Sequence, residues 1–180
     1  MQWHNLRWKV LLSTFLCALA LLWGGQWFYD HYGFQRSLAE ALAKEPLVAS
    51  YEVKSEADRW LVEVHLRAAP ADLPTFYHRL ERKVGETMGR RPFVLRLTDQ
   101  RDKTLEEVYY RSQFPIYQAL AQGCYTEMAR EVERYAAESG VQARIYLDDR
   151  NLYLTLSHQD HFLVAVIPRA AAKEGGQRVL

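Results

Sequence analysis

The chain has 180 residues, a formal net charge of +1, 25 % charged and 13 % aromatic side chains. Apart from Arg7 and Lys9, its basic residues are spread among the acidic ones, so there is no basic field to hold a phosphate backbone, which argues against nucleic acid as a partner. Cys17 and Cys124 are the only cysteines and fall in segments of different character, which argues against an intrachain disulfide; the fold must rest on its own core.

From Val10 to Tyr29 no residue is charged. At 1.5 Å per residue this stretch spans about 30 Å, the thickness of a bilayer's hydrocarbon core. Trp8 at one end and Trp27, Phe28 and Tyr29 at the other match the aromatic girdles of a membrane span. A cleavable signal peptide fits less well, because its A-x-A-like match, Ala18-Leu19-Ala20, lies inside the apolar run. A lipoprotein reading of Cys17 fails on the bulky Phe15-Leu16 before it. With Arg7 and Lys9 before the span and Asp30 after it, residues 1–9 are expected in the cytoplasm and the rest outside. The expected organisation is thus a transmembrane helix over 10–29, a helical stalk over 30–46, an extracytoplasmic α+β domain over 47–169 and a disordered tail over 170–180.

Within that domain the hydrophobic spacing sets the order of elements. Phe34–Lys44 reads as a helix stopped before Pro46. Leu47–Ser55 and Arg59–Arg67 read as strands, the second with Trp60, Val62, Val64 and Leu66 alternating toward the core. Asp72 caps a helix whose apolar stripe is Leu73, Phe76 or Tyr77, Leu80, Val84 and Met88, and Gly89 ends it before a strand over Phe93–Thr98. Thr104 and Glu107 form a capping box that opens a helix in which Pro115 should cause a kink or a division. After Gly123 another helix runs to Ser139. Val141–Leu147, Leu152–Leu156 and Phe162–Ile167 then read as an antiparallel meander with short polar turns. The fold class expected is α+β: an α-β-β-α-β module and an α-α-β-β-β module sharing one mostly antiparallel sheet.

The α-β-β-α-β order of Phe34–Thr98, with the alternation Trp60-x-Val62-x-Val64-x-Leu66, resembles BON domains and the ring-building motifs of secretion and sporulation assemblies. The whole chain is similar to anchored envelope proteins of spore-forming bacteria. The resemblance implies a module outside a membrane anchor that associates side by side or binds envelope components.

Chemistry-bearing residues are weighed in the same way. His158, Asp160 and His161 could form a zinc set, but they flank a hairpin turn, where polar residues need no metal. His65 and His78 sit off the core faces and read as surface residues. Asp99, Asp102, Asp148 and Asp149 fall in turns, where aspartate bonds its own backbone. Cys124 has no basic neighbour and reads as an inert thiol. No nucleophile elbow, phosphate loop or CxxC pair occurs, and no catalytic, metal or cofactor site is expected. Tyr109 and Tyr110 are adjacent on one helix and cannot share a direction, so with Arg111 and Tyr117 they suggest a contact surface. The expected role is a membrane-anchored, non-enzymatic interaction or assembly domain, associating with itself or with an envelope protein. The alternative is an envelope enzyme or small-ligand sensor.

Overall fold

A computed structural model of the chain describes Thr14, Phe15, Ala18, Leu19 and residues 38–56 and 58–169. The chain divides into two compact units, Met1–Ala41 and Leu42–Leu180. Thr14, Phe15, Ala18 and Leu19 are helical. Among the described residues no helix is long and apolar enough to cross a membrane. The rest of the expected span and the tail over 170–180 lie outside those residues. Of the expected stalk, residues 38–43 are helical, and the helix stops before Pro46.

The second unit is α+β. In its first half β1 (Val48–Ser55) pairs antiparallel with β2 (Trp60–Leu66), α1 (Leu73–Met88) crosses over, and β3 (Phe93–Thr98) returns parallel to β2. The Asp72 carboxylate accepts the Thr75 N–H at 3.1 Å, satisfying one of the amides left open at the start of α1. Leu73, Phe76, Leu80, Val84 and Met88 are all buried, the stripe that the sequence spacing predicts. On β2 the core positions are Val62, Val64 and Leu66, joined by Leu61; Trp60 is only half-buried at the strand's start, which corrects its placement as a core anchor. Ahead of β1, the buried Glu45 receives the Lys83 ammonium at 2.6 Å, tying the chain to α1.

The second half comprises α2 (Lys103–Gln122), α3 (Tyr125–Glu138), β4 (Gln142–Leu147), β5 (Asn151–His158) and β6 (His161–Pro168). The three strands form the expected antiparallel meander. Leu152, Leu154, Leu156 and Leu163 meet Leu105, Val108, Ile116, Met128 and Val132 from the helices in a continuous core.

Three local expectations are corrected. Helix α2 begins two residues earlier than the capping box implies, because the Asp102 carboxylate takes the Leu105 N–H at 2.8 Å and so replaces Thr104 as the cap. Pro115 does not divide the helix, which runs unbroken to the left-handed Gly123. Proline forfeits one main-chain bond, and buried Val108, Ser112, Ile116 and Ala119 hold the turns on both sides of it. On β6 the residues in the helix-packed core are Leu163, Ala165 and Ile167, whereas Phe162 and Val164 are buried on the opposite face.

The single shared sheet is also corrected: among the described residues there are two three-stranded sheets, ordered β1-β2-β3 and β4-β5-β6. They meet at one bridge, Gln100 to Phe162, where the Phe162 N–H donates to the Gln100 carbonyl. Next to it the Asp99 carboxylate, clamped by Arg101 at 2.8 and 2.9 Å, accepts the Val164 N–H at 2.9 Å. A side chain thus occupies the place where a main-chain ladder would continue, and the sheets join at a point instead of an edge.

Candidate interaction site

Helix α2 has an inner and an outer face. Its inner face, Leu105, Val108, Ser112, Ile116 and Ala119, is buried. Its outer face carries Tyr110, Phe114 and Tyr117 at 57 %, 69 % and 56 % exposure. Spacings of four and three put these side chains in one row on a helix. The Tyr110 and Phe114 rings meet edge to face, with centroids 6.0 Å apart. From Ser112 to Thr126 no residue is charged, so Phe114 and Tyr117 lie in a neutral stretch with exposed Gln118, Ala121 and Gln122, whereas exposed Glu106 and Glu107 stand one turn before Tyr110.

The four residues singled out from sequence divide. Tyr110 and Tyr117 stand outward. Tyr109 is half-buried against the α2–α3 core, and burial pushes its hydroxyl's pKa up. Arg111 is committed elsewhere: it bonds Glu138 at 2.9 Å, and its guanidinium lies 4.3 Å from the centre of the Tyr135 ring, which also meets Arg134 at 4.8 Å. That arrangement clamps α2 to α3. Phe114 belongs to the row in place of Arg111, and its signal was its spacing from Tyr110 and Tyr117.

A second concentration of functional groups lies where α1 meets the β4–β5 turn. His78 Nε2 lies 2.8 Å from Asp148 Oδ2, and the Tyr153 hydroxyl donates to the same oxygen at 2.8 Å. Arg150 approaches His78 Nδ1 at 3.0 Å and Glu81 at 3.3 Å. Because a guanidinium can only donate, Nδ1 accepts and the ring proton sits on Nε2, directed at Asp148. Main-chain N–H groups of Arg150 and Asn151 fill the other Asp148 oxygen at 2.7 and 2.6 Å. Burial alone would raise the Asp148 carboxyl's pKa; the Asn151 amide, Tyr153, His78 and the Arg150 amide outweigh it and hold it well below the usual carboxylate range. Burial, with Asp148 alongside, pushes the Tyr153 hydroxyl up to about 12. His78 is therefore part of a packed network, not the free surface histidine its position off the stripe implied.

An open depression of about 560 Å³ borders this network, lined by His78, Glu81, Arg82, Asp149 and Arg150. A narrower cleft of about 270 Å³ runs between β3 and β6, lined by Val94, Leu95, Leu97, Val164 and Val166, with Tyr77 beside them.

His158 is tied into the fold in a similar way. His158 and His161 face each other across the hairpin. His158 Nδ1 meets the capping carboxylate of Asp102 at 2.6 Å, and that contact is the main reason the Asp102 carboxyl is held low. His158 is thereby a tie between the hairpin and α2, not a free turn residue. Among the described residues no group of three histidine, cysteine or acidic side chains could hold a metal ion. His65 is half-buried on β2, and Cys124 sits half-buried at the start of α3. Comparison with family models, curated proteins and solved structures finds no match.

Proposed function

We propose that this chain is a membrane-anchored interaction domain without catalytic activity, and that it meets its protein partner through the outer face of α2. The observation that carries this is the row Tyr110, Phe114 and Tyr117, three large side chains more than half exposed on a helix whose other face is fully packed. Scattered exposed apolar residues need no explanation, but a contiguous aromatic row is the composition of a binding patch. Aromatic side chains are frequent hot spots because they bury large areas while fixing few torsions. The uncharged stretch from Ser112 to Thr126, with acidic Glu106 and Glu107 before Tyr110, disfavours an anionic lipid or nucleic-acid surface as partner and suits a protein one.

Anchoring rests on the uncharged Val10–Tyr29 stretch and the basic residues before it. Confinement to a surface would strengthen a contact too small to hold in free solution. The resemblance of Phe34–Thr98 to ring-building modules supports an assembly role. The enzyme alternative has less to support it. Of His65, His78, Asp99, Asp102, His158 and His161, only His78 borders either cavity, and there its two nitrogens already have protein partners.

Chemical cross-linking of the full-length protein in membranes tests the proposal. Tyr110→Ala with Phe114→Ala is expected to remove the cross-linked species while the thermal unfolding of the domain stays unchanged. Persistence of the same species in that variant would overturn the assignment of this face.

A further inference from the structure

Given that the outer face of α2 is the binding face, we infer that its partner is a second copy of this chain, with the two α2 helices crossing antiparallel about a two-fold axis. In such an isologous contact the same patch serves both sides, and any charge near the axis meets its own copy. A patch that must tolerate itself is therefore best without charge, which is what the chain provides from Ser112 to Thr126.

The row also has nearly the same chemistry in either direction: Tyr110, Phe114, Tyr117. Crossing midway between Gln113 and Phe114 sets Tyr110 of one copy against Tyr117 of the other. Phe114 then lies at the axis beside Gln113 of the second copy. The same geometry brings Glu106 opposite Ala121 and keeps the two Ala121 residues far apart.

The area sets the strength of the contact. An aromatic side chain buries about 150–250 Å², so three of them at 57 %, 69 % and 56 % exposure offer roughly 400 Å² per copy. Two copies together bury about 800 Å², below the ~1,200–2,000 Å² of stable interfaces. The dimer is accordingly weak when the chain is dilute and forms when the chain is confined.

Disulfide trapping tests this in the full-length protein held in membranes, with Cys17→Ser and Cys124→Ser removing the native thiols. Gln113→Cys should cross-link to itself, and adding Phe114→Ala should lower the yield about tenfold or more, as loss of a central aromatic contact does. Glu106→Cys and Ala121→Cys should cross-link when co-expressed and not when either is expressed alone. Strong self-cross-linking of Ala121→Cys would overturn the antiparallel arrangement. If no cysteine variant cross-links, yet Tyr110→Ala with Phe114→Ala still abolishes a membrane cross-link to another protein, the second copy is the wrong partner and the binding face stands. If neither association is found, both fall.

Discussion

The aromatic row on α2 and the cluster around Tyr153 use similar residues to opposite ends. Tyr153 is fully buried, its ring 6.0 Å from Tyr77, and its hydroxyl bonds Asp148 while receiving the Asn151 amide at 3.0 Å. Its requirements are met within the fold. The Tyr110 and Phe114 rings meet each other edge to face, and Tyr110, Phe114 and Tyr117 are each more than half exposed. Aromatic area that the fold does not cover is available to something outside it. A tyrosine is therefore structural or associative according to what its helix or strand packs against, not according to its own chemistry.

This contrast can be broken most sharply at Tyr153. Tyr153→Ala is expected to destabilise the domain by about 3–5 kcal/mol, as deletion of a buried large aromatic does, measured by urea unfolding. By contrast, Tyr117→Ala should change stability by no more than about 0.5 kcal/mol, the range for surface positions. Equal losses at the two positions would erase the distinction.

Asp148 comes next. Asp148→Asn keeps the shape but removes the charge that Tyr153, His78 and two amides share, and should cost about 2–3 kcal/mol, the upper range for hydrogen bonds to a charged group. The sign with pH follows from its lowered folded-state pKa. The contribution is complete above the unfolded carboxylate value near 4 and is lost as pH falls toward the folded value. Asp148→Asn should flatten that acid limb of the stability curve; an unchanged limb would place the sensitivity elsewhere.

A small effect of opposite sign is expected two residues beyond Tyr153 on β5. Thr155 is buried and its hydroxyl has no partner among the described residues. Thr155→Val removes an unsatisfied polar atom at nearly constant volume, so stability should hold or rise by about 1 kcal/mol. A loss above that would mean that the hydroxyl is bonded in solution.

These cases show how far a sequence carries. The stripe Leu73, Phe76, Leu80, Val84 and Met88 was legible because a single period fixes one face of a helix, and Asp72 was legible because a cap acts within three residues. The row on α2 was half legible: adjacency forced either Tyr109 or Tyr110 outward, but Arg111 was assigned to the surface because its bond to Glu138, 27 residues on, has no local sign. The network of His78, Asp148 and Tyr153 spans some 70 residues and left none either. Strand β5 hid Tyr153 because its leucines made one face look like the core and the other like solvent, whereas both are buried. The break between the sheets depended on one carboxylate, Asp99, replacing a ladder bond, which no periodicity records.

The most direct measurement of the central claim pairs stability with association in one set of variants. The full-length protein carrying Phe114→Ala and the protein carrying Tyr153→Phe would each be followed by thermal unfolding and by cross-linking in membranes. Phe114→Ala should unfold like the parent and lose the cross-linked species, while Tyr153→Phe should melt lower and retain that species below its melting temperature. Retention of the cross-link in folded Phe114→Ala would contradict the claim that the outer face of α2 is where this protein meets its partner.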